Sequence, residues 1–268
     1  MNETKVKYRQ PSLMRGFILA AISLILTIAS ISLVTFALFI REEGNNTMKV
    51  QAGELAINLY IKKTTGTEID TNSDATNPNY GKLKPVNQTW ANTDSQKDYG
   101  TLLNDYATDL FVIEDAVPTQ KQKSLFIIEN YGSVAATYEI KIADLKINPD
   151  AVTEIETAST RLSEQILVRV SYTNADGVVR QVDGKDCTIE YTLSAFDADD
   201  TLSLNIPTVG LNELVYFTVE WEFLDSDDQN YASYFPADPG YVNNDAMNGV
   251  VRFDITVIAT QDTGTVNP

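Results

Sequence analysis

The chain has 268 residues, with 20 Lys and Arg side chains against 37 Asp and Glu side chains, so its formal charge is −17 at pH 7. Nucleic acid and anionic membrane surfaces repel a protein this acidic, so neither is expected as its main partner. The sequence has no histidine and one cysteine, Cys187. These two facts exclude a Ser-His-Asp triad, a Cys-His dyad, a zinc site of the H-E-x-x-H type and an internal disulfide.

The amino-terminal part of the sequence has the organisation of an export signal. Four basic side chains within residues 1–15 precede an uncharged apolar run over residues 16–40. This arrangement is typical of a secretory signal peptide or of an uncleaved membrane-spanning helix. Small residues before the cut favour cleavage by signal peptidase after Ala37, which removes residues 1–37; a retained membrane anchor is the alternative. The rest of the chain is therefore expected outside the cell or on its surface.

Residues 38–48 are a candidate donor strand and linker. Leu38, Phe39 and Ile40 form an apolar stub, which is followed by charged and polar residues at 41–46. A freed stub of this kind has no core of its own, and it can add as a strand to an open sheet edge elsewhere. The alternative interpretation is a spacer next to the membrane.

Strict alternation of apolar and polar residues dominates the remaining segment, residues 49–268. The alternating runs are 55–61, 138–142, 166–172, 215–223 and 251–259. A period of two with one apolar face indicates half-buried antiparallel strands. Several such strands need a second sheet to cover their apolar faces, so the sequence predicts an all-β antiparallel sandwich. An Asn-Ala-Asp-Gly sequence at 174–177 predicts a tight turn between two of the strands.

Two stretches do not follow the strand pattern. Residues 64–100 are rich in Thr, Asn, Asp and Gly and predict a long polar surface excursion. Its aromatic side chains either stack on carbohydrate or anchor the excursion to the sandwich; they are Tyr80, Trp90 and Tyr99. A short helix is expected within residues 148–165, with Asp150 as its cap.

Clustered carboxylates are the remaining candidates for chemistry. Two groups of aspartates are candidate Ca²⁺ ligands, or else ordinary solvated turn residues: Asp197, Asp199 and Asp200, and Asp225, Asp227 and Asp228. Glu220 and Glu222 have the spacing of a glycosidase pair but also the ordinary pattern of a wet strand face. No other metal or cofactor is expected.

Four short stretches, taken in chain order, form a further pattern. They are Thr35-Phe36-Ala37-Leu38-Phe39, Ala52-Gly53-Glu54-Leu55, Asn130-Tyr131-Gly132-Ser133 and Ala259-Thr260-Gln261. They resemble the signal end T-x-A-x-F, the A-G-x-L strand, the strand end N-x-G-S and the final A-T-Q of the TasA/camelysin family of exported bacterial matrix proteins. The resemblance extends over the whole exported part of the chain.

The resemblance implies a jelly-roll-like sandwich that polymerises into extracellular biofilm fibres. In such fibres the freed N-terminal segment of one subunit pairs as a strand in the sheet of the next. The implied partners are further copies of the chain and other matrix proteins, with signal peptidase and the membrane involved during export. A membrane-anchored binding module for glycan or matrix protein is the alternative. Camelysins have been described as metalloproteases, but zinc hydrolases usually bind their metal through histidine, so an enzyme is the least expected function.

Overall fold

The structure, a computed structural model, describes residues 47–50, 55–69, 82–90, 99–103, 109–225 and 246–262. The predicted signal segment lies outside the described residues, as do Leu38, Phe39, Ile40, Ala52 and Gly53. Within the described ranges, no helix has both the length and the apolar character needed to cross a membrane.

The described segments are mostly β-strand. The strands are β1 (Thr47–Val50), β2 (Leu55–Ile69), β3 (Leu83–Thr89), β4 (Thr101–Leu102), β5 (Phe111–Glu114), β6 (Lys121–Asn130), β7 (Ala136–Ile147), β8 (Ile166–Thr173), β9 (Gln181–Val182), β10 (Lys185–Asp186), β11 (Thr188–Thr192), β12 (Ser203–Val209), β13 (Leu214–Phe223) and β14 (Val250–Gln261). The helices are α1 (Glu156–Gln165) and α2 (Leu193–Ala198), and a 3₁₀ turn (Thr153–Ile155) precedes α1.

Two antiparallel sheets carry the fold. The large sheet has the order β1-β2-β6-β13-β8-β11, and β3 and β4 also pair with β2. The small sheet has the order β12-β7-β14-β5, and β9 and β10 form a separate hairpin. Every pairing in the large and small sheets is antiparallel. The prediction of an all-β, sandwich-like antiparallel domain is therefore confirmed.

Alternate residues of both sheets build one core. On β13 the buried set is Val215, Phe217, Val219, Trp221 and Phe223, and on β14 it is Val251, Phe253, Ile255 and Ala259. A series of aromatic rings links the sheets: Phe217 stacks on Phe126 at 5.0 Å, Phe126 meets Phe111 at 6.2 Å, and Phe111 stacks on Phe253 at 4.6 Å. Burial of each such side chain contributes roughly 1.5–3 kcal/mol to the free energy of folding, so the packing of these rings is a main interaction that holds the two sheets together.

Two segments of the predicted polar excursion at residues 64–100, which the sequence did not assign to strands, are strands in the structure. The end of β2, from Thr64 to Ile69, pairs with β3 in a regular ladder. Alternation is absent from β3 because most of its side chains are exposed or half-buried on both faces of this sheet margin. The excursion is anchored by Trp90, whose Nε1 donates to Thr64 Oγ1 at 3.2 Å, and by Tyr99, whose ring meets Tyr60 edge-on at 5.6 Å. This result favours the anchoring interpretation for these two aromatic residues; Tyr80 lies outside the described residues.

The predicted helix and turn are both present, but the predicted cap is not. The 3₁₀ turn and α1 fall within residues 148–165, and neither has a side-chain cap. Asp150 instead accepts from Arg252 Nη2 at 3.4 Å, so its carboxylate is engaged by β14. In the turn at 174–177, Asn174 N donates to Val178 O at 2.9 Å and Gly177 has a φ of 78°.

Gly249 provides a test of how closely the turn before β14 packs on α1. A Cβ atom at Gly249 would lie 2.5 Å from Ala158 O, whereas one at Gly210 would meet only Glu213 at 3.4 Å. Neither glycine has a positive φ, so the pair isolates packing from backbone strain. Gly249→Ala is expected to lower the free energy of unfolding by roughly 1–3 kcal/mol through overpacking. Gly210→Ala should change it by less than about 1 kcal/mol. Denaturant unfolding followed by circular dichroism measures both, and equal losses would contradict the close packing.

Candidate functional site

Two of the sequence stretches that carry the family resemblance lie together at one end of the domain, beside Leu55, the one described residue of a third stretch. Tyr131 N and Gly132 N both donate to Ala56 O, at 2.9 and 3.2 Å. Gln261, the last residue of β14, pairs with Ala136, the first residue of β7. We call this region the motif end; it comprises Leu55–Ala56, Asn130–Ala136 and Ala259–Gln261. Residues far apart in the sequence thus form one local structure.

Asn130 holds the turn at the motif end. This residue is 2% exposed. Its Nδ2 donates to Val134 O at 2.7 Å, and its Oδ1 accepts from Gly132 N at 3.0 Å. Ser133 lies in the same turn, between the two bonded positions. An asparagine suits this position because its amide supplies a donor and an acceptor to two main-chain groups that are otherwise hard to satisfy.

Polar groups also occupy the core side of the motif end. Burial raises the pKa of Tyr138 to about 12, and the neighbouring Asn130 side chain opposes that shift. Gln261 Oε1 is buried and has no hydrogen-bond partner among the described residues. A buried acceptor without a partner costs on the order of 1–3 kcal/mol, so a donor that reached Gln261 would be favoured.

The edges of the small sheet differ in how far they are protected. At one edge, β12 contains Pro207, and its register against β7 shifts between Ile206 and Val209. Proline and a register irregularity are two common devices that stop an edge from accepting another strand. At the other edge, β5 has 4 residues, whereas its partner β14 has 12.

Among the described residues, the length difference leaves much of β14 without a partner strand on one side. β5 pairs only with Val250–Phe253. From Asp254 to Gln261, β14 pairs with β7 on one side, and no described strand pairs with it on the other. We call residues 254–261 the open edge of β14. It ends at the motif end, since Gln261 belongs to both.

A carboxylate network marks the other end of the open edge. Asp109 forms ion pairs with Lys146 and with Arg252, the latter at 3.6 Å, and Asp254 Oδ1 accepts from Leu110 N. The hydrogen bond from Lys146 lowers the pKa of Asp109. Burial raises the pKa of Asp254, and the nearby Asp109 and Asp144 charges add to that rise.

On the outer face of the large sheet, the predicted carboxylate pair is engaged by cations. Glu220 forms ion pairs with Arg169 at 3.5 Å and with Lys123 at 3.7 Å. Arg169 also binds Glu190 on β11. This cross-strand row has the opposite-charge pairing that stabilises neighbouring strands, which is the ordinary role considered for Glu220 and Glu222.

The two aspartate groups are separate in sequence and only partly described. Asp197 lies in the last turn of α2, and Asp199 and Asp200 follow it. Asp199 Oδ1 accepts from Thr201 N and Oγ1 at 3.0 and 2.6 Å, and these bonds lower the pKa of Asp199. Asp225 is described, whereas Asp227 and Asp228 lie outside the described residues. In the part of the chain that the structure covers, no three acidic or cysteine side chains converge on a metal position.

One cavity of about 450 Å³ lies beside β12. Polar groups contribute to its wall from β7, β12 and β14: Thr137, Glu139, Asn205 and Thr260. Cys187 lies nearby, with Sγ 3.5 Å from Asn205 O, and burial raises the pKa of its thiol. Cys187 immediately precedes β11 and packs against the core at half burial.

Several of these features were missed in the sequence analysis. The pairing of Asp109 with Lys146 and the open edge of β14 join positions whose neighbourhood depends on the register of three strands. A partial signal was present for the open edge, because the last alternating run is long and the stretch around Phe111 is short.

No protein-family model matches the chain, and a search of curated proteins returned no match.

The motif end gives a test based on asparagine hydrogen bonds. Asn130→Ala is expected to lower the free energy of unfolding by roughly 1–3 kcal/mol, because it removes the donor to the half-buried Val134 carbonyl group and leaves Gly132 N with only its longer bond to Ala56 O. Asn174 is the control, since its Oδ1 also accepts two main-chain N–H groups, but at a solvent-exposed turn. Asn174→Ala should cost less than about 1 kcal/mol, because water replaces the lost bonds. Chemical denaturation measures both values, and a larger loss for Asn174→Ala would refute this account of the turn.

The carboxylate network predicts pH effects of opposite sign. The pKa of Asp109 is lowered in the fold, so its charge stabilises the protein above the unfolded pKa, and this contribution is lost as the pH falls through the folded value. The pKa of Asp254 is raised, so its charge costs stability at neutral pH. At pH 7, Asp109→Asn should therefore destabilise the protein, and Asp254→Asn, which keeps the acceptor for Leu110 N, should stabilise it. Both differences should shrink as the pH falls towards about 2–3. Melting temperatures across this range test the signs, and the same sign for both variants at pH 7 would contradict the assignment.

Proposed function

We propose that the chain is an exported structural protein, a subunit or anchor of an extracellular matrix fibre, that assembles by strand addition. In this proposal residues 38–46 of one copy, freed by cleavage after Ala37, pair with the sheet of another copy. Thr47 and Met48, the last two residues of the predicted donor segment, instead pair with β2 of their own chain. The main support is the motif end: the described stretches on which the TasA/camelysin resemblance rests lie together in an antiparallel, sandwich-like domain. The proposal places the mature protein outside the cell, and on the membrane if the signal is retained.

The strand order supports a jelly-roll class for this domain. Apart from β1–β4 and the β9–β10 hairpin, the order in the small sheet is β5-β14-β7-β12, and the order in the large sheet is β6-β13-β8-β11. Strands early and late in the chain therefore neighbour each other in both sheets, and β8 and β11 form the one sequential pair. A long hairpin wound on itself produces this order, which is that of two interlocked Greek keys. β2 then adds to the free side of β6.

Backbone pairing suits a protein of this charge. Cleavage after Ala37 removes four basic side chains and one acidic side chain, so the formal charge changes from −17 to −20. The mature copies therefore repel each other, and polar surface contacts between them are weak. Main-chain hydrogen bonds do not depend on side-chain charge, and an added strand also buries apolar side chains. The donor stub supplies such side chains at Leu38, Phe39 and Ile40.

The binding-module alternative has one feature of its own, the cavity beside β12. Its hydroxyl, amide and carboxylate groups are of the type that bind sugar hydroxyls, and its wall includes Glu139 and Asn205. The retained anchor of this alternative predicts that the protein still begins at Met1. The first measurement is therefore the N-terminal sequence and sedimentation of the protein from its producing cells. A start at Leu38 or Phe39 in sedimenting polymer supports the fibre, and a monomer that begins at Met1 supports the module.

A charge in the donor stub tests strand addition directly. Ile40→Asp should reduce the polymer fraction by about 10- to 100-fold, because one buried aliphatic side chain contributes roughly 1.5–3 kcal/mol. Asn46→Asp adds the same charge in the polar part of the segment and serves as the control, with little loss of polymer expected. Sedimentation of the extracellular material gives the polymer fraction. Unchanged assembly of Ile40→Asp would rule out the stub as the donor.

A further inference from the structure

We infer that the acceptor for residues 38–46 is the open edge of β14, residues 254–261, in a second copy of the chain. This inference rests on the proposed function and adds to it the place at which the donor strand binds. The incoming strand would lie beyond β5, whose pairing with β14 stops at Phe253, and past Leu110, whose N–H donates to the Asp254 side chain. It would complete the small sheet and turn β14 from a partly paired strand into a fully paired one.

The main argument is that the open edge is long and regular. From Asp254 to Gln261, β14 keeps an uninterrupted register with β7; its one register shift lies before this stretch, between Arg252 and Asp254. The segment contains no proline. The opposite edge of the small sheet has both Pro207 and a register shift, so it is poorly suited to receive a strand. Among the described edges of this sheet, the open edge of β14 is thus the one suited to strand addition.

Burial along β14 shows a notch on the core side of the open edge. Ile255 and Ala259 are 4% and 3% exposed, yet Val257, on the same face between them, is only half-buried although it packs against the core. An apolar side chain from an added strand would cover Val257. Leu38 and Ile40 share one face of an extended segment and supply such side chains. At the end of the notch, the buried Oε1 of Gln261 has no partner among the described residues and could accept an N–H from the added strand.

The pairing of β1 indicates why the donor comes from another copy. Val50 pairs with Leu55 next to the motif end, and Thr47 pairs with Asn58, so β1 followed backward runs away from the motif end. The next positions along β2, Tyr60 and Ile61, are taken by β4. A segment that continues β1 backward therefore finds its place beside β2 already filled. β1, which follows residues 38–46 in the chain, belongs to the large sheet, whereas the open edge belongs to the small sheet.

Cysteine cross-linking within the polymer tests the acceptor. All chains carry Cys187→Ser; one chain also carries Arg41→Cys in the donor segment, and a co-expressed chain carries Thr256→Cys on the open edge. The matched control replaces Thr256→Cys by Asn205→Cys, on the β12 edge of the same sheet. Exported polymer is treated with a bismaleimide, and the joined peptides are identified by mass spectrometry. Cross-strand neighbours lie within roughly 5–8 Å, so at least about fivefold more Arg41–Thr256 than Arg41–Asn205 product is expected.

The other outcomes separate this inference from the proposed function. Polymer in which position 41 joins position 205, or does not join position 256, overturns the acceptor and leaves strand addition intact. Absence of polymer from the chain carrying only Cys187→Ser, and from the unaltered chain, overturns both. A chain that carries both Arg41→Cys and Thr256→Cys, treated with the cross-linker as dilute monomer, tests whether the segment can occupy the open edge of its own chain. Efficient cross-linking within that single chain would show that the segment occupies its own open edge, which overturns the assignment to a second copy.

Discussion

The fold depends on mutual coverage of two sheets, because neither sheet has another way to remove its apolar face from water. The aromatic series from Phe217 through Phe126 and Phe111 to Phe253 crosses this interface and joins the centre of the large sheet to the margin of the small one. With a single cysteine, the chain has no internal covalent link to supplement that burial. Helix α1 and the turn at Gly249 contribute to the same burial, since they pack together at the start of β14.

How much of the fold the sequence predicts depends on how each segment is buried. β13 and β14 bury one apolar face and leave a mostly polar, largely half-buried face on the other side, so their alternation identifies both strands. β3 lies at a margin where neither face is deeply buried, and its ladder depends on main-chain bonds that leave no pattern in the side chains. The helix was predicted correctly, but the cap predicted at Asp150 is absent. The Asp150 side chain instead pairs with Arg252, a residue about a hundred positions away.

In the candidate site, too, the sequence predicts some features and leaves others to the fold. The short motifs identify Asn130, Gly132 and Gln261 as residues of interest, but they do not indicate that these residues meet. Their meeting depends on main-chain contacts, of Tyr131 and Gly132 with Ala56 and of Gln261 with Ala136, and such contacts leave no mark in the side chains. The open edge of β14 was not predictable either, because it arises from the mismatch between two strand lengths. Such a mismatch is visible only once partner and register are known.

The irregular edge at β12 has a consequence for the shape of any assembly. Under the proposed strand addition, a domain with one edge of the small sheet blocked by Pro207 and the other edge open among the described residues would form heterologous rather than symmetric contacts between copies. Heterologous contacts that do not close into a ring give a filament with direction, in which the two tips differ chemically. A copy without its donor segment could then join at one tip only and would stop elongation there. Filament length would be governed by the ratio of intact to shortened copies.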